Sequence, residues 1–168
     1  DAAELLVHEV LEHFTATDGL FFSFASHEEP GLIQETVELS DNVIPASNSQ
    51  MAANLLVLGS LLDRNDYLER SENMVKAMIP HIRRNPSFHA NWASLLPDII
   101  EGQTIVKITG NERLRLLNEF SGHYLPWVVF SGEQMADSDT TSMIFVCTGK
   151  SCLKPVETVK EALQLLER

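Results

Sequence analysis

Asp41, Asn48 and Ser49 stand where a polar loop runs into an almost wholly apolar segment, and they are the candidate ligand-binding groups of this 168-residue chain. The stretch from Ser47 to Leu62 contains no charged residue. A helix that is apolar almost all round is an interior helix, so the side chains at its start sit at the mouth of a buried element. An amide there faces unpaired backbone N–H groups and the positive end of the helix. Buried without partners, it would cost about 1–3 kcal/mol. Either the turn at 41–43 or a polar ligand such as a sugar hydroxyl can meet that demand. Upstream, His27, Glu35 and Glu38 supply the residue types of general acid–base catalysis, which requires such groups to converge on one bond.

Other spacings imitate known chemistry and fail it. In His8-Glu9-Val10-Leu11-Glu12-His13 the histidines are five residues apart, which turns them roughly 140° away from each other on a helix. A zinc-protease helix needs them four apart on one face. Thr148-Gly149-Lys150-Ser151 imitates the end of a phosphate-binding loop. Ile144 stands where its first glycine belongs, and Cys152-Leu153-Lys154-Pro155 displaces the helix that should follow. Cys147 and Cys152 are too few for a disulfide scaffold. Structural free thiols, a disulfide or redox pair, and ligands of a metal or cluster are the states open to them.

Composition limits the partners. Residues 1–102 carry 16 acidic and 5 basic groups, and residues 103–168 carry 8 and 7, which together give the net charge of −12. Nucleic-acid binding needs clustered Lys and Arg, and the adjacent pair Arg83-Arg84 is too little for it. No apolar run reaches the ~18–20 residues of a membrane span, and the opening residues carry no targeting pattern. Neither nucleic acid nor membrane is expected as a partner, and no cofactor or metal is expected. The start at Asp1 suggests a piece of a longer protein.

Two kinds of structure must position these residues. From 1 to 102 the pattern is helical. An amphipathic helix over 2–14 is expected to bury Ala3, Leu6, Val7, Val10 and Phe14. A helix over Ser47–Leu62 should start with a capping box of Ser47 and Gln50, and a third should turn Leu68, Val75, Met78 and Ile82 inward. After Asn85-Pro86 a further helix carries Phe88, Trp92, Leu95 and Leu96, and Pro97 ends or kinks it. The stretch 25–46 has no helical period, and short strands are expected at 20–24 and 36–39. An irregular stretch that long is often functional.

From 103 to 168 the period changes. Strands are expected at 104–108, 127–130 and 143–147, with a helix over 112–121 burying Leu114, Leu117 and Phe120, and a polar loop over 132–141. A final helix opens with a capping box of Thr158 and Glu161. Strand-helix-strand should give a parallel pair. Trp92 and Trp127 both read as core residues. The expected fold is mainly α with an α/β tail: antiparallel helical hairpins over 1–102, then a small β-α-β-β-α subdomain with a partly parallel sheet over 103–168.

Four segments taken together resemble the C-terminal part of the thioredoxin-domain-containing family related to spermatogenesis-associated protein 20. Asp18-Gly19-Leu20-Phe21-Phe22 is similar to that family's Gly-Gly-Phe-Phe segment, with Leu20 in place of the second glycine. Ile44-Pro45-Ala46-Ser47-Asn48-Ser49 resembles its Pro-Ser-Gly-Asn-Ser signature. His123-Tyr124-Leu125-Pro126 matches its Tyr-Leu-Pro, and Cys147, Cys152 and Pro155 follow its closing cysteine–cysteine–proline pattern. The resemblance implies a preceding thioredoxin-like domain and an (α/α)6 toroid like that of N-acylglucosamine 2-epimerases, with 1–102 as its last hairpins.

What it implies for function is a non-catalytic segment contributing to a carbohydrate-binding cavity through Asp41, Asn48 and Ser49. One alternative is a sugar-active enzyme of epimerase or glycosidase type using Glu35, Glu38 or His27. A second is a redox accessory using Cys147 and Cys152. The expected partners are the rest of the parent protein, a second copy of the chain and a small-molecule sugar. A few hairpins cannot close such a ring, so the inner face of Ser47–Leu62 should be partly uncovered. Self-association or an exposed apolar patch should follow.

Overall fold

The computed structural model describes residues 2–26, 28, 35–133 and 141–167. His27, one of the acid–base candidates, lies outside the described residues, as does most of the polar loop expected over 132–141. The chain is mainly α with an α/β part, and it divides into two compact units, Asp1–Ile99 and Ile100–Arg168.

The first unit holds α1 (Ala2–His13), α2 (Ser47–Leu62), α3 (Asn65–Arg84), a 3-10 turn at Pro86–Phe88 and α4 (Ala90–Ser94); α5 (Leu96–Glu101) begins within it. Asp63, in the left-handed region at φ 54°, turns α2 back into α3, and its N–H bonds to Gly59 O. A Cβ on Gly59 would lie 2.9 Å from the Leu68 side chain, so the missing side chain lets the two helices close up. Ser71 Oγ donates to Ala52 O across the pair at 2.8 Å. Leu55, Met74, Val75 and Met78 fill the space between, with Trp92 fully buried and Phe21 edge-on to it at 6.1 Å.

Three expectations change here. On α1 only Val7 is buried; Val10 and Phe14 are half-buried, Ala3 is exposed and Leu6 is 68% exposed. That stripe faces α2 across an open groove rather than a packed interface. The helix expected from Pro86 to Pro97 is split at Leu95, and Phe88 is exposed. The break falls two residues before Pro97, where the expected end or kink belongs. Pro97 itself lies in the first turn of α5, where its missing N–H has no partner to lose.

In the second unit a sheet of order β2-β1-β3-β4 forms from β1 (Thr104–Thr109), β2 (Val128–Glu133), β3 (Met143–Thr148) and β4 (Ser151–Cys152), with α6 (Arg113–Phe120) and α7 (Val159–Leu166). β1 pairs parallel with β2 and antiparallel with β3, so Val106 lies between Phe130 and Val146. Val106, Ile108, Ile144 and Val146 alternate inward and pack with Leu116, Phe120, Val159 and Ala162. Leu116 takes the place expected of Leu114, which is 69% exposed. Trp127 precedes β2 and is 49% exposed, so it is not a core residue.

The Thr158–Glu161 capping box is present in both directions. The hydrogen bond from Thr158 holds the Glu161 carboxyl below its ordinary pKa.

Candidate functional site

Ala46 occupies the N-cap of α2 and has no side chain to take the free N–H groups of the first turn. The expected capping box does not form, because Ser47 is already helical and the Gln50 amide turns to Asn54 at 3.3 Å. Carboxylates of the preceding loop cap the helix instead. Glu38 Oε2 accepts from Ser47 N at 2.9 Å, and Asp41 Oδ1 accepts from Ala46 N at 2.9 Å. Both put negative charge at the positive end of α2.

Asp41 is buried and accepts two further bonds, from the Ser49 hydroxyl at 2.8 Å and from Asn91 N–H at 2.9 Å. Ser49 Oγ also lies 2.9 Å from Ala46 O and accepts from the Asn91 amide at 2.9 Å. Asn48, fully buried, engages both backbone groups of Phe22. Its Oδ1 accepts from the N–H at 2.7 Å, and its Nδ2 donates to the C=O at 2.9 Å and to Glu38 O at 3.0 Å.

The amide thus stands in for a neighbouring strand. For that reason 20–24 and 36–39 do not become the expected strands: among the described residues they show an isolated bridge between Thr15 and Phe22 and a bond from Phe24 N to Thr36 O. Trp92 Nε1 donates to Leu39 O at 2.8 Å and Arg70 Nε to Leu20 O at 2.7 Å. Desolvation lowers the Arg70 pKa, and its guanidinium lies 5.0 Å from the Phe22 ring centre. Side chains of α2, α3 and α4 thus satisfy loop carbonyls at Leu20, Phe22, Glu38 and Leu39. Among the described residues no buried side-chain N or O lacks a partner.

The structure therefore gathers Asp41, Ser49 and Asn91 into one network and sets Asn48 in another. Asn91 carried no signal in the sequence, because its partner Asp41 lies 50 residues away. Glu35 accepts from the Thr17 N–H at 3.0 Å and hydroxyl at 2.7 Å, so Glu35 and Glu38 are engaged by different segments.

Close by, a cavity of about 430 Å³ opens between α1 and α2, walled by Leu6, Val7, Val10, Met51, Val57 and Leu58, with Gln50 and Asn54 its amides. Asp41, Asn48 and Ser49 do not line it. The spacing of Gln50 and Asn54 by four residues on an apolar helix was the readable signal for this polar end.

In the second unit Cys147 and Cys152 form a disulfide with Cα atoms 3.9 Å apart, which resolves the three states open to them. Among the described residues no cluster of three or more His, Cys, Asp or Glu is placed to hold a metal, and no helix is long and apolar enough to cross a membrane. No protein-family model matches the sequence, and no curated protein matches it significantly.

Proposed function

We propose that this chain is the C-terminal segment of a multidomain protein with a thioredoxin-like domain and a helical toroid, and that its helical unit is one stretch of a ring whose cavity takes a carbohydrate. The observation that supports this reading is the apolar groove between α1 and α2. A helix pair lined by Leu6, Val10 and Val57 on an open flank calls for a further helix. Leu5 and Leu6, each 68% exposed, extend the bare surface.

In this reading Asp41, Asn48 and Ser49 hold the mouth of α2 in shape. Their polar atoms are engaged within the protein, so a sugar there would be held by groups that this network positions. The acid–base alternative gains nothing from Glu35 and Glu38, each of which is tied to a separate backbone segment.

Sedimentation velocity tests the ring. The isolated chain is expected to self-associate with concentration, and Leu6→Asp, at an exposed position, is expected to weaken association at least tenfold while leaving the helical content intact. A wild-type chain that stays monomeric at every concentration would remove the support for missing hairpins. For the ligand, amide shifts of 41–50 are followed during titration with monosaccharides and oligosaccharides; unmoved signals would rule out the carbohydrate part.

A further inference from the structure

The geometry points to the Cys147–Cys152 disulfide as a thiol–disulfide exchange site that takes two electrons from a dithiol, with Cys152 Sγ as the sulfur attacked. The inference stands on the second unit alone and is independent of the ring reading. The two cysteines face each other directly across β3 and β4. The bond from Leu153 N to Val146 O lies beside them, which puts the pair at a non-hydrogen-bonded position where side chains approach most closely.

Access is one-sided. A thiolate attacks a disulfide along the S–S axis from behind the sulfur it joins. Behind Cys147 lies β1, with Ile105 paired to it. Behind Cys152 lies the sheet edge, and among the described residues no strand pairs with the outer side of β4. Cys152 is exposed and Cys147 half-buried.

The covalent bond is also not what holds the hairpin. Gly149, at φ 56°, begins the two-residue turn between β3 and β4, and its N–H bonds to Gln103 O at 3.2 Å. Ile144 and Val156 exchange two backbone bonds at 2.8 and 3.0 Å. Opening the disulfide therefore leaves the sheet in place, which makes the step reversible.

One thiolate of the dithiol bonds to Cys152 Sγ, and the Cys147–Cys152 bond breaks. Cys147 leaves as a thiolate and takes a proton. The second thiolate of the reductant attacks its own partner sulfur in the mixed disulfide, and Cys152 leaves as a thiolate and takes the second proton. Two electrons and two protons pass to the protein, and the dithiol becomes a disulfide.

The test uses the native chain, first oxidised with glutathione disulfide. Treatment with dithiothreitol, then alkylation, should label both cysteines without denaturant and without change in the far-ultraviolet circular dichroism. Glutathione with an early acid quench should leave the adduct on Cys152 at least tenfold over Cys147. In Cys147→Ser, Cys152 should react with an aromatic disulfide at least tenfold faster than Cys147 does in Cys152→Ser. Failure to form the bond on oxidation, labelling only in denaturant, or an adduct mainly on Cys147 would each overturn the proposal.

Discussion

In the helical unit an irregular segment is carried into the core on side chains of α2, α3 and α4, whereas in the sheet unit the strands pair backbone to backbone. Asn48, Arg70 and Trp92 each reach a carbonyl of the loop, and Asp41 and Glu38 reach back to the start of α2. In the sheet unit, β1 sits between two strands and its ladder needs no side chain. The contrast locates stability differently. Removing one polar side chain from the first unit strands several buried groups at once, while trimming an inward side chain of the sheet removes packing.

The largest effect should come from Asp41→Ala. It deletes a buried acceptor of three bonds and leaves the N–H groups of Ala46 and Asn91 without it. Bonds to charged groups contribute ~1.5–3 kcal/mol and stranded donors add to the loss, so we expect about 4 kcal/mol. Each unit holds one tryptophan, Trp92 or Trp127. In a Trp127→Phe background, Trp92 fluorescence should show a lower urea midpoint, while amide exchange in β1 and β3 stays unchanged. A loss below about 1 kcal/mol would mean that water replaces the carboxylate and that the network is not what holds the loop.

Ile108→Val weakens the sheet unit alone. It trims one methylene from a fully buried residue of β1, for about 1 kcal/mol. Amide exchange in the sheet should speed up, and the Trp92 transition should not move. Equal shifts in both would show that the two units unfold together and that the contrast has no energetic meaning.

The contrast also explains what could be read from the residues. Val106 and Ile108, then Ile144 and Val146, alternate with less buried neighbours, and such a period is visible in any window. The Thr158–Glu161 cap is equally local. Leu114 was misplaced because the run Arg113–Phe120 offers two apolar faces, and only contact with the sheet selects Leu116 and Phe120.

In the helical unit the decisive pairs are distant. Phe22 is 26 residues from Asn48, and Trp92 is 53 from Leu39. The strand-like composition of 20–24 was real, but its hydrogen bonds went to an amide rather than a strand. Ser47 and Gln50 matched a local capping rule that Glu38 and Asp41 override from upstream. Asp41, Asn48 and Ser49 were therefore visible as polar side chains in an apolar setting, but not as partners of particular groups.

The smallest effect probes a helix cap that is wholly local. The Thr158 hydrogen bond lowers the Glu161 carboxyl pKa, and the group is fully exposed. A carboxyl with a depressed folded pKa adds stability that is complete above its unfolded value and is lost as pH falls through the folded one. Acidification should therefore loosen the start of α7 as Glu161 is protonated, and exchange of the Glu161 amide should rise in step. Glu112 is lowered by Arg115 in the same sense, so the whole-unit acid profile contains both. Glu161→Gln separates them: it keeps a side-chain acceptor for the Thr158 N–H but cannot titrate, so the acid rise at α7 should vanish while that near α6 persists. If the Gln variant loosens with acid just as the wild type does, the carboxylate is not the titrating group, and α7 is held by Val159 and Ala162 in the core alone.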